Sequence, residues 1–334
     1  MKKSLIYLFS LLCMLTLVTS CSDDEKGGTD DAWKEISKDY TSDKLSIGTV
    51  STSGTISVNA ASADKATIIL NNVVAGESSV SVDATLTKTD AGYAFEGEST
   101  ATTCNVKVSG TIENGKLTAA ISRTLTSALA GTLNLNYVPY MNDMQIAQAH
   151  ARFNTGDAQM DAMLNNMAAP VVGQLIAKEV ESVTVNLGEE GTFSFSFKKV
   201  GASEETVMPP AKLQEMIKSY LTWYEKENVL YLAVHKDALT ILSGLNILPE
   251  NIDLETILGL LTVEGDYYTI PLQVKEEDGL TTIYLNKDIL VKAWEVAKPL
   301  VGNIQDETIQ SILAMVDQVM AKAKEIEVGL VFKK

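Results

Sequence analysis

The stretch Val108-Ser109-Gly110-Thr111-Ile112-Glu113-Asn114-Gly115-Lys116-Leu117 decides the fold of the first half of the chain. Apolar and polar side chains alternate on both sides of Asn114-Gly115, which is the pattern of two strands that each bury one face. Asn-Gly is typical of a two-residue hairpin turn, because both residues tolerate a positive φ. We therefore predict an antiparallel β-hairpin with its turn at Asn114-Gly115.

The alternation extends outward from this hairpin in both directions, from about Lys44 to Tyr137. A second, looser turn is predicted at residues 90–92. The predicted strands contain residues 56–58, 66–70, 80–82, 93–95, 106–108, 117–121 and 133–135. About eight short antiparallel strands in so short a segment favour a meander that closes into a barrel or folds into a sandwich. Residues 40–138 are therefore predicted to form an antiparallel β domain.

The period of the pattern changes after residues 137–140, Tyr-Val-Pro-Tyr, where the strand region ends. Apolar residues then recur three and four positions apart, which is the spacing of a helix. One predicted helical face contains Met160, Met163, Leu164, Met167, Val171, Leu175 and Ile176. Pro170 is expected to kink or split this helix, and residues 209–210, Pro-Pro, are expected to start a second helix.

A hairpin is predicted between these two helices. Its strands are residues 183–187 and 192–197, where apolar and polar side chains alternate, and a Gly-Glu-Glu-Gly turn joins them. Residues 139–334 are therefore predicted to form an α+β domain. With the β domain before it, the fold class predicted for the whole chain is α+β.

An internal duplication is predicted within the second domain. Residues 229–275 and 282–333 share Tyr-Leu, Lys-Asp-x-Leu and Asn-Ile-x-x-Glu-Thr-Ile, in the same order and at nearly the same spacing. Each segment has the pattern of a strand, two helices and a second strand. We therefore predict that the two segments superpose as copies of one unit and bury each other's apolar faces.

Four acidic residues stand at the predicted helix starts of these copies. Asp237 and Asp288 are predicted to cap the first helix of each copy by accepting hydrogen bonds from its backbone N–H groups. Glu255 and Glu307 fall in the first turn of the second helices, where the helix dipole favours a negative charge. A ligand or metal constellation is the alternative for these residues, but capping accounts for them without one.

The N-terminus has the pattern of a secretory signal, which we assign to residues 1–20. Lys2 and Lys3 precede an apolar run, and small residues lead into Cys21. Residues 17–21, Leu-Val-Thr-Ser-Cys, have the pattern of a lipobox. We therefore predict that Cys21 is lipidated and anchors the mature chain in a membrane. The alternative is an ordinary signal peptide that happens to precede a cysteine.

The residues that follow are predicted to form a disordered acidic tether, residues 21–39 including the lipidated Cys21. The first ten after Cys21 are Ser, Asp, Glu, Lys, Gly and Thr. Such a segment cannot bury enough apolar surface to offset the entropy lost on ordering. Trp33 and Ile36 are expected to form no more than a frayed turn.

Residues 22–25, Ser-Asp-Asp-Glu, resemble the surface-export signal of Bacteroidota lipoproteins. A solvated linker without a sorting role is the alternative. With the hairpin at residues 108–117, they make the chain resemble the Bacteroidota surface lipoproteins of unknown function, which join a β-rich N-terminal domain to an α+β C-terminal domain. The resemblance implies an outer-membrane or cell-surface location and supplies no catalytic residue.

The net charge and the cysteine content indicate which partners and which cysteine chemistry are not expected. The chain has 334 residues, 43 acidic and 27 basic, and a formal charge of −16. Nucleic acid is not an expected partner, because unspecific binding needs Lys and Arg to displace counterions. Cys13 is lost with the signal and Cys21 carries lipid, so Cys104 remains alone and no internal disulfide can form. Cys104 alternates with Val106 and Val108, which predicts a small core side chain rather than a nucleophile.

Residue patterns for catalysis, cofactors and metals are missing from the sequence. His150 and His235 have no second ligand at metal-binding spacing, and neither a G-x-S-x-G nucleophile elbow nor a glycine-rich phosphate loop occurs. The acidic pairs at residues 189–190 and 276–277 fall in predicted turns, where solvation explains them. We therefore predict no catalytic, cofactor-binding or metal-binding residue, and a pair of glycosidase carboxylates stays open.

Two apolar features could instead bind something. Phe193, Phe195 and Phe197 project from one side of a predicted strand, and five methionines fall in one segment. These methionines are Met141, Met144, Met160, Met163 and Met167. Methionine-rich faces adapt to varied apolar partners. We expect ordinary core packing for both features, because every strand and helix must bury one face somewhere.

The function expected from these observations is binding without catalysis, by a protein anchored through lipid at the outer membrane or cell surface. The ligand or partner, whether protein, glycan or apolar molecule, stays open. One alternative is a glycan-acting hydrolase with an acidic pair in the C-terminal domain. Another is a carrier of lipid or another hydrophobic ligand. The lining of the main pocket, apolar or acidic, discriminates between them.

Overall fold

Two large antiparallel sheets dominate the computed structural model, which describes residues 31–48, 50–209, 219–243, 254–301 and 307–334. The protein is therefore mostly β, and the prediction of an α+β fold is wrong. Helices are present in the second half, but its strands pair into one further large sheet. Strands contributed by distant parts of the chain carry no local signal of their pairing, and this is why the sequence understated the β content.

The first sheet is a meander that nearly closes into a barrel. It follows the short helix α1 (Ala32–Glu35). In chain order its strands are β1 (Asp39–Tyr40), β2 (Leu45–Ile47), β3 (Thr55–Ser62), β4 (Lys65–Asn71), β5 (Ser79–Thr89), β6 (Gly92–Thr100), β7 (Cys104–Glu113) and β8 (Lys116–Leu125). Strands β3 to β8 each pair antiparallel with the next strand along the chain.

Two short strands bring the edges of this sheet together. Strand β1 pairs with β3 at one edge, and β2 pairs in parallel with β8 at the other. The backbone from Tyr40 to Leu45 can span at most about 18 Å, so the two edges lie close to each other. Of the two predicted arrangements, the barrel is therefore the one that forms.

The hairpin that decides this sheet forms as predicted. Asn114 and Gly115 have φ values of 51° and 75°, and Glu113 pairs with Lys116 across the turn. Alternate side chains fill the barrel interior, as on β5, where Val80 and Val82 are buried between exposed serines. The pattern of the sequence thus predicts both the turn and the buried face of this sheet.

The barrel begins earlier in the chain than predicted. Trp33 and Ile36 pack against its hydrophobic core, and the hydroxyl of the fully buried Tyr40 donates to the carbonyl of Ile36 at 3.0 Å. Burial raises the pKa of Tyr40 to about 12. The last part of the predicted tether, from Trp33 onward, therefore belongs to the fold. Residues 21–30 of the tether and the predicted signal lie outside the described residues.

The second sheet takes its strands from the rest of the chain. They are β9 (Gly131–Leu135), β12 (Ala149–Asn154), β13 (Val180–Leu187), β14 (Phe193–Lys199), β15 (Thr206–Met208), β16 (Leu221–Lys226), β17 (Val229–His235), β18 (Thr262–Glu264), β19 (Tyr267–Glu277), β20 (Leu280–Asn286) and β21 (Glu325–Lys333), with a separate hairpin of β10 (Tyr137–Pro139) and β11 (Gln145–Ala147). The helices are α2 (Ala158–Glu179), α3 (Ala238–Ser243), α4 (Leu254–Leu260), α5 (Lys287–Val301) and α6 (Glu307–Lys322).

The strands of this sheet are not in chain order. Their order is β15-β14-β13-β9-β21-β20-β19-β17-β16, with β12 also on β21 and β18 on β19. Strand β9, which we predicted within the first domain, pairs here with β13 and β21. The sheet curls: the backbone N–H of Trp223 in β16 donates to the carbonyl of Gly191, in the turn before β14, at 2.9 Å. Two distant strands of the sheet thus meet at that point.

Both sheets share one hydrophobic core, and Trp33–Lys334 clusters as one unit. Two carboxylates of the second sheet region hold the loop before β3. Asp237 accepts from the backbone N–H and hydroxyl of Ser51 at 2.8 and 2.7 Å. Asp266 accepts the same two bonds from Ser53, both at 2.7 Å, and a third from the ammonium of Lys236 at 2.6 Å. These bonds join the barrel to the second sheet.

The described parts of the two segments share a strand, two helices and a second strand, but β18 has no counterpart in the second segment. The first contains β17, α3, α4, β18 and β19, and the second contains β20, α5, α6 and β21. In each, the flanking strands are antiparallel neighbours in the sheet. Residues 244–253 and 302–306 lie outside the described residues, and superposition of the two segments stays a prediction.

The predicted cap at Asp288 is wrong, because α5 begins at Lys287 and Asp288 lies in its first turn. Asn286 directly precedes α5 and caps it by accepting from the N–H of Ile289 at 3.3 Å. Asp237 directly precedes α3, as predicted, but its carboxylate accepts from Ser51. Asp288 still lies where the dipole favours its charge.

Helix α2 runs without a break through Pro170, so the proline does not split it. The helix is capped by Asp157, whose carboxylate accepts from the N–H groups of Gln159 and Met160. The second helix predicted after Pro209-Pro210 falls on residues 210–218, which lie outside the described residues.

Candidate functional site

One face of the second sheet forms an apolar groove with a volume of about 430 Å³. Six strands contribute to it. Its apolar lining consists of Val183 and Val185 from β13, Phe193 and Phe195 from β14, Leu230 and Leu232 from β17, Leu272 from β19, Ile283 and Leu285 from β20, and Val328, Leu330 and Phe332 from β21. Among the described residues that line the groove, none carries a charge.

The strand register places these side chains on one face. Val185 pairs with Phe195, Leu230 with Leu272, and Ile283 with Leu330. Paired residues in a sheet point to the same side, and so do residues two apart along a strand. The curl of the sheet then turns this common face into a concave surface.

Burial differs among the residues that line the groove. Leu230 and Phe332 are buried in the main core, whereas Phe195 is 41% exposed. The fully buried Trp223 does not line the groove; it pairs with Leu232, and its indole N–H donates to the carbonyl of Gly188 at 2.8 Å. Solvent therefore reaches the groove at Phe195.

The predicted core packing of the phenylalanines holds in part. Phe193 packs against the main core, but Phe195 is exposed in the groove. Phe197 is half-buried and does not line the groove. The alternation of apolar and polar residues indicated that the three phenylalanines share one side of the strand. It did not indicate that Phe195 would be exposed, because this depends on the pairing with β13 and on the curl of the sheet.

The predicted core packing of the methionines is wrong for most of them. Met163 and Met167 on α2 are 47% and 58% exposed, and Met141 and Met144 are exposed as well. The opposite face of α2 makes the close contact: a Cβ on Gly173 would lie 2.2 Å from the carbonyl oxygen of Ala147. Because only small residues allow this approach, the helix packs through its small residues and leaves the larger ones outside.

Helix α2 packs against the sheet beside the groove. Asn165 bonds both backbone groups of Phe153 in β12, accepting from its N–H at 2.7 Å and donating to its carbonyl at 3.1 Å. Leu164 packs in a small cluster with Phe153, Ile326 and Val328, and Val328 also lines the groove. The helix therefore borders the same side of the sheet.

An acidic cleft of about 180 Å³ is the place where hydrolytic carboxylates would be expected, since Glu77, Glu264 and Asp266 line it. All three are engaged. Glu264 accepts from the hydroxyl of Tyr224 at 2.5 Å, and Glu77 accepts from the backbone N–H of Thr103 at 2.6 Å. Asp266 holds Ser53 and Lys236, as described above. No carboxylate lining this part of the described structure is left free to act as acid or base.

The charged side chains around this cleft stabilise the contact between the barrel and the second sheet. Burial works to raise the pKa of Asp266, but the bonds from Lys236 and Ser53 outweigh it and the pKa is lowered. Burial also lowers the pKa of His235, which keeps the imidazole neutral beside Asp237. The hydrogen bonds from Ser53 that help to lower the pKa of Asp266 also join the barrel to the second sheet.

Two further residues are candidates in the sequence, His150 and Cys104. His150 lies 2.8 Å from a carboxylate oxygen of Glu327, and no group of three ligand-type side chains in the described ranges could hold a metal. Cys104 is fully buried, and burial raises the pKa of its thiol. Its predicted role as a small core side chain is confirmed.

Comparisons with known proteins yield no relative: no protein-family model, no curated protein and no solved structure matches the chain. The resemblance to Bacteroidota lipoproteins therefore rests on the sequence alone. None of the helices in the described ranges combines the length and the apolar character that crossing a membrane requires. Cys21 and the predicted signal lie outside these ranges.

Proposed function

We propose that this protein binds an apolar ligand in the groove of the second sheet and performs no chemistry on it. The observation that supports this is the lining of the groove, which consists mainly of Val, Leu, Ile and Phe and includes no charged side chain among the described residues. An apolar cavity that the core does not fill keeps surface in contact with water, and a ligand that covers it gains the corresponding transfer free energy.

The lining specifies the chemistry of the ligand. Its polar contribution comes from Ser194, Tyr284 and the backbone at Gly329, so few hydrogen bonds are offered inside the groove. A charged group inside would lose its hydration without compensation. The ligand is therefore an apolar body, such as an acyl chain, and any charged end stays outside beside Phe195. The volume of about 430 Å³ lies within the range of ordinary ligand pockets, roughly 300–1,000 Å³.

The same proposal places the protein at the outer membrane or cell surface, anchored through lipid on Cys21. The sequence around Cys21 supports this location, and an anchored protein with an apolar groove meets lipids and other hydrophobic molecules there. A hydrolase is not proposed, because the carboxylates of the acidic cleft are used in structural hydrogen bonds.

A fluorescent probe tests the groove. The chain from Ser22 to Lys334, purified without detergent, is titrated with N-phenyl-1-naphthylamine, a neutral dye that brightens in apolar sites, and the dye is then displaced with palmitic acid. Phe195→Glu is expected to weaken dye binding at least tenfold, about 1.4 kcal/mol, because it puts a carboxylate at the entrance.

Val263→Glu is the matched control. Val263 is another exposed apolar residue, 64% exposed on β18, and it does not line the groove. The same substitution there should leave dye binding unchanged. Equal binding by wild type and Phe195→Glu, or equal loss in both variants, would show that the dye binds elsewhere and would refute the proposal.

A further inference from the structure

A second cavity lies where the barrel meets the second sheet, with a volume of about 440 Å³. Its apolar lining includes Ile47, Val73 and Leu221, and its polar lining includes Arg123, Thr124 and Thr192. Cavities that bind small molecules have this composition, an apolar surface with a few polar groups that converge on one point.

Arg123 is the unusual member of this lining. Its guanidinium donates to the carbonyls of Ala75 and Trp223 at 2.9 and 3.1 Å, and to the hydroxyl of Thr222. All three acceptors are neutral. Burial lowers the pKa of Arg123, so the site makes the positive charge costly instead of balancing it. Within the described residues, no carboxylate forms an ion pair with Arg123.

The hydrogen-bonding capacity of Arg123 is not exhausted. A guanidinium has five N–H groups, and three of them are used in the bonds to Ala75, Thr222 and Trp223. The other two have no protein acceptor in the described ranges, and Arg123 itself lines the cavity. A buried cation normally has a charged partner, and an external anion would supply one.

We propose that this cavity binds a small organic anion. The carboxylate, sulfate or phosphate group of the ligand accepts from the free N–H groups of Arg123, and its apolar body lies against Ile47, Val73 and Leu221. Arginine suits this role because its charge persists at any physiological pH and its N–H groups match oxyanion geometry. The site is separate from the groove of the second sheet, since the two share no lining residue.

Substitution of Glu190 tests whether the ligand is an anion. It is an exposed carboxylate that lines the same cavity, where it repels an anion bound to Arg123. Glu190→Gln removes this repulsion and keeps the shape of the side chain. Anion binding should therefore become tighter, by about threefold for a solvent-exposed charge. If the ligand bound only through the apolar lining of the cavity, Glu190→Gln would not change its affinity.

Calorimetric titration with four probes tests the chemistry. Benzoate and phenyl phosphate combine an apolar ring with an oxyanion, benzyl alcohol lacks the charge, and inorganic phosphate lacks the ring. We expect at least one aromatic anion to bind ten times more tightly than both benzyl alcohol and inorganic phosphate. The ranking of benzoate against phenyl phosphate distinguishes a carboxylate ligand from a phosphate ligand. Equal affinity for charged and neutral rings would overturn the proposal.

Variants then locate the binding. Arg123→Gln should reduce affinity for the aromatic anion at least tenfold, but it also removes bonds between the sheets and could unfold the protein. Thr124→Glu avoids this difficulty, because Thr124 is exposed on the cavity wall and a carboxylate there repels the ligand. Thr118→Glu, at an exposed position of the same strand β8 that does not line the cavity, is its matched control. Loss of binding with Thr124→Glu alone supports the site, and equal behaviour of the two variants refutes it.

Discussion

Replacement of Asp266 by Ala should break the main polar link between the barrel and the second sheet. The Asp266 side chain is 4% exposed and accepts three hydrogen bonds, from the N–H and hydroxyl of Ser53 and from the ammonium of Lys236. Ser53 belongs to the loop before β3 of the barrel, and Lys236 follows β17 of the second sheet. The single carboxylate thus holds both parts.

The loss of stability can be estimated from the groups that lose their hydrogen-bond acceptor when the Asp266 carboxylate is removed. Removing one partner of a buried pair costs about 3–5 kcal/mol when the other charge stays buried. Lys236 is 41% exposed and can regain water, which reduces the cost. The N–H of Ser53 loses a charged acceptor, which costs about 1–3 kcal/mol. We expect the free energy of unfolding to fall by about 3 kcal/mol at pH 7.

Urea unfolding followed by tryptophan fluorescence measures this change. With an m-value of about 3 kcal/mol/M, the midpoint should fall by about 1 M. Asp90→Ala, in the exposed turn between β5 and β6, is the control and should leave the midpoint unchanged. A fall of less than 0.3 M with Asp266→Ala, about 1 kcal/mol, would refute the role given to this carboxylate.

The pH dependence of the difference provides a second check. The pKa of Asp266 is lower in the folded protein than its ordinary value of 3.8, so its contribution is present above pH 3.8 and is lost as pH falls through the folded pKa. The difference in the free energy of unfolding between wild type and Asp266→Ala should therefore become smaller below pH 3.8. The pKa of His235 is lowered from 6.5, so its protonation favours the unfolded chain below that pH in both proteins.

Three further predictions concern other parts of the chain. Asn286→Ala should destabilise the protein by about 1 kcal/mol in urea unfolding through loss of a helix cap, and by more than Asp288→Ala; the reverse order would restore Asp288 as the cap. Gly173→Val should cost about 1–3 kcal/mol in the same assay, because its side chain meets the carbonyl of Ala147, and an unchanged midpoint would contradict that contact. Cys21→Ser should abolish palmitate labelling and membrane fractionation, and a labelled, membrane-bound mutant would disprove the anchor.

Local pattern determined the first sheet almost completely. A hairpin such as residues 108–117 is specified by its turn and by side chains two apart, and both act over a few residues. The same alternation located Cys104 in the core. Closure of the barrel was not visible in this way, because it depends on β1 and β2, which are two and three residues long and carry no periodic signal.

In the second half of the chain, the local sequence pattern predicted the elements but not the long-range contacts of their side chains. The repeated Lys-Asp and Asn-Ile segments indicated the order of strands and helices, and the described parts follow it. The pattern placed Asp237 at a helix start, where a cap is the local use of an aspartate. In the folded protein its carboxylate bonds Ser51, which lies 186 positions away in the chain. No spacing in the sequence predicts such a partner.

The sequence by itself determined which side chains share a face, while the tertiary structure decided what each face meets. Alternation requires Phe193 and Phe195 to point the same way, and helical spacing does the same for Met163 and Met167. Only the curl of the second sheet and the close contact at Gly173 leave Phe195 and the methionines uncovered. The physical reason is that burial depends on surfaces brought together by long-range strand pairing, whereas periodicity depends only on backbone geometry within one element.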